Sequence, residues 1–354
     1  MNTLKFKFDK KLKLKEYSSK YFISTQKIFK ENNLGNDVTL RFFHFNDTAM
    51  VCGIEETIQL LKFCLTKKEF NSLQIWYEQD GSIIEKEKPV LIIRGNYQYF
   101  GHLENVIDGI LSRRSSVANN CYRIINEIQR DKLLLMADRS DDYSLQKYDG
   151  YAAYIGGVKN FCTKQHIELI KNKSDVNYLG TVPHALIQQF NGQIDKALIA
   201  YQQSIKEGPI VALIDYNNDC LSEIQKIAKL PFKIDSIRID TSNKIVDKSL
   251  QVGNWKNKKE LYGVCDKLIL ACRKELDKYN MHNTKIIVSS GINIDKIKHF
   301  KKNKIPVDFF GVGKSLLEVN VHFTGDLIKS NENYQAKFGR NNNIDNLIVK
   351  MKKI

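Results

Sequence analysis

The chain has few of the residues that build flexible linkers or that stabilise small folds with disulfides and metals. Only 5 of its 354 residues are proline, and no stretch rich in Pro, Gly or Ser separates one part of the chain from another. We therefore expect domains that pack against each other rather than domains tethered by a flexible linker. The seven cysteines are scattered and form no C-x-x-C pair, which argues against both a disulfide framework and a structural zinc site.

Long apolar runs are absent too. No segment reaches the roughly 18 consecutive apolar residues that a membrane span needs. The N-terminal "MNTLKFKFDKKLKLKEY" has no apolar block followed by a small-residue cleavage site, so it does not resemble a secretory signal. The sequence thus predicts a soluble cytoplasmic protein with no membrane partner.

Acidic residues are outnumbered by basic ones. Lys and Arg total 55 against 40 Asp and Glu, which gives a formal net charge of +15. Such a surplus suits a polyanionic partner such as nucleic acid or a phosphorylated substrate. The lysines, however, are spread along a chain rich in Lys, Asn and Ile, with no basic and aromatic stripe and no helix-turn-helix, KH or RRM signature. We therefore interpret most of the charge as solvated surface and expect no nucleic-acid partner.

The length and the 42% hydrophobic content suit two domains. The first part mixes predicted strands at 38–45 and 89–95 with a helix at 54–65, and a long helical region follows at 102–128. Beyond it the order strand, loop, helix repeats, which predicts parallel strands joined by helical crossovers in an open sheet or a barrel. One helix is predicted from the three- and four-residue spacing of Leu261, Val264, Cys265, Leu268 and Cys272.

Glycine loops follow two successive strands of this second part. "VSSG" contains Ser290 and Gly291, and "FGVGK" contains Gly311 and Gly313. The carboxyl edge of parallel strands is where ligands bind in both architectures. Loops of this kind present backbone N–H groups to an anion, so the pair favours a phosphate site. Asn293 is placed to cap the helix between them.

Charged residues also stand at the predicted strand ends. "IRID" places Arg238 and Asp240 two residues apart, so both side chains point to the same side. Burying inward-facing charges is costly unless they are paired or contact a ligand. The pattern therefore fits two interpretations equally well: Arg238 and Asp240 form a structural salt bridge, or they bind a ligand. Asp215 ends the buried run "IVALID" in the same way.

His184 lies at a predicted junction between a strand and a helix, next to Thr181 and Pro183. A lone histidine is more often structural than catalytic. Its position at the ligand-binding edge favours chemistry, since an imidazole can act as a base or as a nucleophile that takes up a phosphoryl group.

Nine segments of the chain, in order, resemble one known family. They are "VTLRFFHFNDTAMVCGIEETIQLL", "PVLIIRGNYQYFGHLENVIDGILS", "ADRSDDYSLQKYDGYAAYIGGV", "GTVPHALI", "ALIDYNND", "IRIDTSN", "VSSGINIDKI", "VDFFGVGKSL" and "FTGDLIKSNENYQAKFGR". Together they resemble the nicotinate phosphoribosyltransferases, which are type II phosphoribosyltransferases. The resemblance implies an α/β fold in which an N-terminal α/β sandwich-like domain, 1–115 completed by 325–354, packs on an irregular parallel α/β barrel, 116–324. It also implies a homodimer whose active sites form across the interface.

The resemblance implies a reaction of NAD salvage. Nicotinate and 5-phosphoribosyl 1-pyrophosphate would give nicotinate mononucleotide and pyrophosphate, with ATP as co-substrate and its hydrolysis as a drive. Pyrophosphate leaves C1 of the ribose, a cationic sugar develops, and the pyridine nitrogen attacks from the opposite face. Mg²⁺ would offset the charge of the leaving group, and we assign no residue as its ligand.

Position by position, the resemblance gives roles to residues of the predicted edge. His184 matches the histidine that ATP phosphorylates, and catalytic roles near the ribose and base are expected for Arg238 and Asp240. Arg139 matches the arginine of the segment that holds the nicotinate carboxylate, and Tyr21 matches an aromatic that stacks on the pyridine ring from the partner subunit. Asp215 is expected near the ribose or metal and Gly291, Gly311 and Gly313 near the 5′-phosphate, with Thr181 and Ser290 completing the substrate-binding set.

The chain departs from the family pattern in several loops. Relatives' Asp-Ser-Gly is Asp240-Thr241-Ser242 here, so Ser242 stands where glycine's backbone freedom is expected to be needed. Where relatives have Gly-Gly in the first phosphate loop, this chain has Ser290-Gly291. Residues 160–163 are Asn-Phe-Cys-Thr in place of the family's Gly-Thr-Ser-Asn. Lys314 stands in place of a threonine. These changes bear on substrate choice and on the coupling to ATP more than on the fold.

Other functions stay open. Nicotinamide is the close alternative to nicotinate, and Arg139 favours nicotinate because a guanidinium is best used on an anion. Quinolinate is less expected, since the shorter relatives that use it need no ATP-linked histidine. A catalytically weakened member of the family with a polyanion-binding role is the alternative from another class.

Overall fold

The computed structural model describes residues 5–331, 333–340 and 344–354, which fall into two compact units. Unit 1 takes its described residues from Met1–Tyr122, Lys147–Gly157 and Leu317–Ile354. Unit 2 comprises Arg123–Gln146 and Val158–Leu316. Unit 1 thus takes in more of the chain than the predicted 1–115 and 325–354.

Helices and strands occur in both units. In chain order the helices are α1 (Lys20–Glu31), α2 (Ile54–Cys64), α3 (Lys67–Asn71), α4 (Tyr97–Phe100), α5 (Glu104–Ile125), α6 (Gln146–Ile155), α7 (His184–Gln189), α8 (Ile194–Ser204), α9 (Cys220–Ile227), α10 (Asp266–Lys278), α11 (Ile294–Lys302) and α12 (Asp345–Ile348). The strands are β1 (Val38–His44), β2 (Thr48–Met50), β3 (Gln74–Tyr77), β4 (Ile83–Glu85), β5 (Leu91–Gly95), β6 (Leu133–Leu135), β7 (Asn160–Phe161), β8 (Asn177–Tyr178), β9 (Val211–Leu213), β10 (Ser236–Ile239), β11 (Lys285–Val288), β12 (Phe309–Val312), β13 (Phe323–Ser330), β14 (Asn333–Tyr334) and β15 (Lys352–Lys353). None of the described helices is long and apolar enough to cross a membrane.

Unit 1 is built on an antiparallel sheet of six strands in the order β14, β13, β1, β5, β3, β15. Leu40 and Phe42 of β1 lie opposite Ile93 and Leu91 of β5. These side chains are buried in the main core of the unit together with residues of α2 and α5. Burying each of them stabilises the fold by about 1.5–3 kcal/mol.

The last residues of the chain contribute a second, smaller cluster to this sheet. Ile92 and Ile328 pack there with Ile344 and Met351. Every residue of β1 is consequently buried. Both faces of the strand are buried although its sequence includes the polar residues Thr39, Arg41 and His44.

The long helix predicted at 102–128 is confirmed as α5. Along one stripe of the helix the buried residues are Ile107, Leu111, Ala118 and Cys121, which are spaced by four, seven and three residues. Ile107 and Leu111 belong to the main core of unit 1. Further along the helix every residue from 114 to 121 is buried, polar residues included.

Ion pairs bind the segment 147–157 into unit 1. Asp149 of α6 accepts two hydrogen bonds from Arg113, of 3.0 and 2.7 Å. The adjacent Arg114 holds Glu56 through hydrogen bonds of 2.8 and 3.1 Å. The Asp149 side chain is only 3% exposed, so the loss of Arg113 would leave a poorly paired buried carboxylate. This pairing links the segment 147–157 to the rest of unit 1.

Unit 2 is built on a sheet of seven parallel strands in the order β8, β7, β6, β12, β11, β10, β9. The two ends of the sheet meet where the backbone N–H of Val182, just beyond β8, donates to the carbonyl of Val211 in β9 at 3.4 Å. The sheet is therefore curled. This architecture confirms the predicted α/β class and the irregular parallel α/β barrel.

Capped helices connect the strands of unit 2. Asp219 caps α9 by accepting from the Ser222 backbone N–H at 3.2 Å. Asn293 caps α11 by accepting from the Lys296 backbone N–H at 2.9 Å, as the sequence predicts. Each cap stabilises its helix by about 1 kcal/mol.

One predicted helix begins later than expected. The spacing of apolar residues predicts a helix from Leu261, but α10 starts at Asp266. Leu261 and Val264 are buried in the preceding loop, and their spacing imitates a helical face. Within α10, Leu268 and Cys272 are buried as predicted.

Candidate functional site

The carboxyl edge of the parallel sheet brings together most of the residues predicted to form a site. All the strands point the same way, so the segments that follow them emerge at one edge. Arg238 and Gly311 lie on β10 and β12, and His184 is the first residue of α7. The others follow strand ends: Arg139 after β6, Thr181 after β8, Asp215 after β9, Asp240 after β10, Ser290 and Gly291 after β11, and Gly313 after β12.

His184 and Asp215 form an imidazole–carboxylate pair. His184 Nε2 lies 3.2 Å from Asp215 Oδ1. The side chain of His184 is 45% exposed and that of Asp215 only 8%. Burial raises the pKa of Asp215, and the nearby His184 acts in the opposite direction. The carboxylate favours the ring tautomer with its proton on Nε2, which leaves the Nδ1 lone pair available as a base or nucleophile.

Arg238 joins three of the loops at this edge. It donates one hydrogen bond to the Thr181 hydroxyl and another, of 3.2 Å, to Asp240 Oδ2. Ser289 in turn donates to Asp240 Oδ1 at 2.6 Å. The predicted placement of Arg238 and Asp240 on one side is confirmed, and the two form an ion pair. The buried Nε of Arg238 has no hydrogen-bond partner within the described parts of the chain.

Gly311 and Gly313 allow the segments after β6 and β12 to approach closely. A Cβ atom at Gly311 would lie 2.5 Å from Met136 Sδ, and one at Gly313 would lie 2.7 Å from the Met136 carbonyl oxygen. Both distances are shorter than real Cβ contacts, so no larger residue fits without movement. This packing gives both glycines a structural role, and their contact with a phosphate stays a prediction.

The turn after β11 has an uncommon backbone conformation. Ser290 has a φ of 66° and Gly291 a φ of 67°. This left-handed region is comfortable for glycine and costs a serine roughly 1–2 kcal/mol. The turn is therefore strained at Ser290, where glycine would fit better.

Two cationic side chains stand exposed at the same edge. Arg139 follows β6, and Lys314 follows Gly313. Neither forms an ion pair with the described residues. Their positive charges are therefore available for an anionic ligand.

Tyr21 is the one predicted site residue that belongs to unit 1. It lies on α1, where its side chain is 63% exposed and its ring centroid is 4.2 Å from that of Phe22. The other predicted residues all belong to unit 2. A single exposed aromatic is common on protein surfaces, so the stacking role of Tyr21 stays a prediction.

Cys162 is a site neighbour that the sequence did not predict. It directly follows β7, so it lies at the same edge as the other residues. Burial raises its pKa to about 12, with Asp138 and Arg238 among the nearby charges. Its position after a strand was the available signal, but β7 has only two residues and gave no strand pattern.

Comparisons with known proteins agree with this architecture. Residues 21–115 match the family model "Quinolinate phosphoribosyl transferase, N-terminal domain". The structure resembles that of nicotinate-nucleotide pyrophosphorylase from Pyrococcus furiosus, with a TM-score of 0.79 and 26% sequence identity over 96% of this chain and 81% of that chain. The protein has the type II phosphoribosyltransferase fold.

Two further solved structures support the type II phosphoribosyltransferase fold. Human nicotinic acid phosphoribosyltransferase matches with a TM-score of 0.63 and 13% identity over 89% of this chain and 75% of that chain. Nicotinate-nucleotide pyrophosphorylase from Ehrlichia chaffeensis matches with a TM-score of 0.58 and 16% identity over 87% of this chain and 97% of that chain. The search of curated protein sequences found no match to the chain.

The backbone φ angles show at which departure from the family pattern the conformational freedom of glycine is needed. None of the residues Asp240, Thr241 and Ser242 has a positive φ, so the expected need for glycine at Ser242 is wrong. Ser290, which is expected to replace a glycine of the family pattern, does have a positive φ. Glycine's freedom is therefore required in the turn after β11 and not after β10.

Proposed function

We propose that the protein is a nicotinate phosphoribosyltransferase that uses ATP. It transfers phosphoribose from 5-phosphoribosyl 1-pyrophosphate to nicotinate, which gives nicotinate mononucleotide and pyrophosphate, while ATP is hydrolysed to ADP and phosphate. The family match and the fold support a phosphoribosyltransferase of the quinolinate and nicotinate family that acts in NAD synthesis. The observation that carries the narrower proposal is the exposed ring of His184, held 3.2 Å from the buried Asp215.

The transfer step needs groups that hold phosphates and groups that tolerate a cationic sugar. The pyridine nitrogen forms a bond to C1 of the ribose as the bond from C1 to the pyrophosphate oxygen breaks. Asp240, fixed by Arg238 and Ser289, supplies negative charge at the edge where we place the sugar. The backbone of the Ser290–Gly291 turn and the exposed Lys314 are placed to bind the 5′-phosphate.

His184 supplies the link to ATP in this proposal. Its Nδ1 attacks the γ-phosphorus of ATP as the bond to ADP breaks, while Nε2–H donates to Asp215. Water later breaks the N–P bond, which releases phosphate and restores the imidazole. The phosphoryl group adds about two negative charges beside the substrate site, which could order the surrounding loops around the second substrate.

Magnesium would offset the charge on the leaving pyrophosphate when it is bound. Mg²⁺ is usually held by one or two carboxylates together with substrate phosphates. Asp215 fits this requirement, because Oδ2 has no side-chain hydrogen-bond partner in the described ranges, whereas both oxygens of Asp240 accept hydrogen bonds. The described residues contain no cluster of three or more metal-ligating side chains, so substrate oxygens would complete the coordination.

Two further residues define the pyridine end of the proposed site. Arg139 is exposed and free of ion pairs with the described residues, and a guanidinium of this kind binds the carboxylate of nicotinate better than the neutral amide of nicotinamide. We propose that Tyr21 stacks on the pyridine ring in the active site of a partner subunit, so that the working form is a homodimer. The exposed ring of Tyr21 supports this assignment.

One assay tests the proposal. The purified protein is incubated with the sugar donor, Mg²⁺ and nicotinate, nicotinamide or quinolinate in turn, with and without ATP. We expect nicotinate mononucleotide from nicotinate, at a higher rate with ATP and with release of ADP. A protein that uses nicotinamide equally well, or whose rate ignores ATP, would contradict the proposal.

Quinolinate is the second candidate substrate, because the N-terminal match is to a quinolinate phosphoribosyl transferase domain. Quinolinate has two carboxylates and nicotinate mononucleotide only one, so that reaction must release CO₂. It would also leave His184 without an ATP-linked role. Release of CO₂ from quinolinate, with no effect of ATP, would identify this alternative.

A further inference from the structure

The helix that carries His184 is short and ends in a tight reversal. α7 has six residues, and it is followed by Asn191 and Gly192, with φ values of 54° and 75°. Gly192 turns back onto the helix through a hydrogen bond from its N–H to the carbonyl of Ile187 at 3.0 Å. The orientation of His184 therefore depends on what holds this reversal in place.

Asn217 holds the reversal from the other side. Its side-chain Nδ2 donates to the Gly192 carbonyl at 2.8 Å and to Glu223 Oε1 at 2.9 Å. Both amide hydrogens are thus used. A Cβ atom at Gly192 would lie 3.0 Å from Asn217 Oδ1, so the two residues are in close contact.

Asn217 also belongs to the turn that carries Asp215. The N–H of Asn218 donates to the Asp215 carbonyl at 2.9 Å, which closes that turn. On its far side, Asn218 Nδ2 donates to the Val246 carbonyl at 2.9 Å, and Lys248 N–H donates to the Asn218 carbonyl at 2.9 Å. The turn is therefore anchored to the rest of unit 2, and Asn217 adds a second link to the α7 region beside the contact of Asp215 with His184.

Glu223 is a buried carboxylate that the proposed chemistry does not use. Its exposure is 1%, and its Oε2 atom is buried without a hydrogen-bond partner in the described part of the chain. Its Oε1 atom accepts from Asn217 and from Lys226 Nζ, the latter at 2.8 Å. Burial of a carboxylate is costly, and here its contacts fix the Asn217 amide.

We propose that Asn217, backed by Glu223, is a positioning residue that sets the distance between His184 and Asp215. The amide ties the end of the histidine-bearing helix to the turn that carries the carboxylate. Its effect on ATP coupling rests on the proposed function of His184, whereas its effect on the geometry of the pair does not. Neither residue contacts the reacting groups itself.

The test uses Asn217→Ala with Lys226→Ala as a matched control. The control also removes a donor to Glu223 Oε1 but leaves the hydrogen bonds of Asn217 intact. Two quantities are measured: the ratio of transfer rates with and without ATP, and the His184 Nε2 to Asp215 Oδ1 distance in crystal structures of the variants. If Asn217→Ala does not fold, Asn217→Ser, whose shorter side chain cannot reach both partners, replaces it.

We expect Asn217→Ala to lower the ATP ratio by roughly tenfold, since a misplacement of about 1 Å at a reacting group costs on the order of 100-fold. The ratio in Lys226→Ala should stay within about twofold of wild type. Glu223→Ala should behave like Asn217→Ala, and Glu223→Gln should restore the ratio because its amide oxygen can still accept from Asn217. An unchanged ratio in Asn217→Ala, or equal losses in Glu223→Ala and Glu223→Gln, would overturn the inference.

The crystal structures separate this inference from the proposed function. If ATP does not change the transfer rate of the wild-type protein, only the proposed function is contradicted. The distance between His184 Nε2 and Asp215 Oδ1 then tests the positioning role of Asn217. We expect the two atoms to move beyond about 3.5 Å in Asn217→Ala, outside hydrogen-bond range. A pair that stays at 3.2 Å, as in the wild-type protein, would overturn the positioning role.

Discussion

Arg238 donates a hydrogen bond to Thr181, although four strands lie between β8 and β10 in the sheet order. Thr181 follows the first strand of that order, and Arg238 lies on the next-to-last. Their contact therefore spans the opening of the curled sheet. It also fixes the ion pair between Arg238 and Asp240 on the side where the proposed sugar binds.

Replacing Thr181 by valine should test this contact. Thr181→Val keeps the shape of the side chain and removes the hydroxyl, so we expect the free energy of unfolding to fall by about 1.5–3 kcal/mol, the usual range for a hydrogen bond to a charged group. Urea denaturation measures this loss. Thr181→Ser is the control, because it keeps the hydroxyl, and an equal loss in both variants would show that the hydrogen bond is not responsible.

The turn after β11 should be stabilised by glycine at its first position. Ser290 has a φ of 66°, so Ser290→Gly should raise the free energy of unfolding by about 0.5–1 kcal/mol. Gly291→Ala should lower it, since Gly291 has a φ of 67° and no atom within 4 Å of an added Cβ. Gly180→Ala is the control, because an added Cβ there also meets open space and no positive φ is involved. Thermal melts that rank Ser290→Gly below wild type would contradict this account.

The stability of unit 1 should depend on the protonation of Glu104. Burial, with Asp108 and Asp326 nearby, raises the pKa of Glu104 from 4.5 to about 8. Since the folded-state pKa is the higher one, the contribution to stability is full below pH 4.5 and is lost as the pH rises towards about 8. Glu104→Gln mimics the protonated carboxyl, so it should stabilise the protein at alkaline pH by more than about 1 kcal/mol, given about 1.4 kcal/mol per pKa unit.

Denaturant titrations at acid and alkaline pH check this dependence. At acid pH, wild type and Glu104→Gln should be equally stable. Glu31→Gln is the control for the loss of a surface carboxylate, because the side chain of Glu31 is 60% exposed. A Glu104→Gln variant with the same stability difference at both pH values would contradict the assignment.

His184→Ala should abolish the stimulation of the transfer rate by ATP while leaving basal phosphoribosyl transfer detectable. The variant lacks the ring that accepts the phosphoryl group but keeps the phosphate and sugar groups of the site. Rates with and without ATP, and radiolabel transferred from ATP to the protein, measure the effect. His282→Ala is a matched control, because His282 is also an exposed histidine paired with a carboxylate, 3.1 Å from Asp277. Equal stimulation in wild type and His184→Ala would refute the role of His184.

Arg139→Ala should raise the KM for nicotinate much more than the KM for the sugar donor. The loss of one charge-assisted hydrogen bond costs about 1.5–3 kcal/mol, so a rise of roughly 10- to 100-fold is expected for nicotinate. Steady-state kinetics with each substrate varied in turn measure the two constants. Arg123→Ala, at an exposed position on α5, is the control. An equal rise in both KM values would contradict the assignment to the carboxylate.

Sequence patterns predicted those parts of the fold that depend on local order. Strands followed by polar or glycine loops gave the parallel sheet, because residues after such strands must emerge at one edge. The two-residue spacing of Arg238 and Asp240 gave their common side, and the ion pair of 3.2 Å confirms it. The cap at Asn293 was also predictable, since capping depends on a few adjacent residues.

Contacts between distant segments were beyond the reach of those patterns. Asn217 meets Gly192 across 25 residues of chain, and no periodicity links the two positions. The apolar spacing of Leu261 and Val264 was misleading, because a buried loop can imitate a helical face. The segment 147–157 is joined to unit 1 by the pairing of Arg113 with Asp149, which only the three-dimensional structure shows.

The order in which the strands are made has a consequence for biosynthesis. β1 pairs with β13, and in this register Val38 lies opposite Ser330. Every strand of unit 2 lies between these two in the chain, so the ribosome completes the parallel sheet before the partner of β1 emerges. Domains generally fold as they are synthesised, and an unpaired strand edge is a template for aggregation. The β13-facing edge of β1 therefore stays unpaired until translation is nearly finished, and during that interval it is open to pairing with other chains.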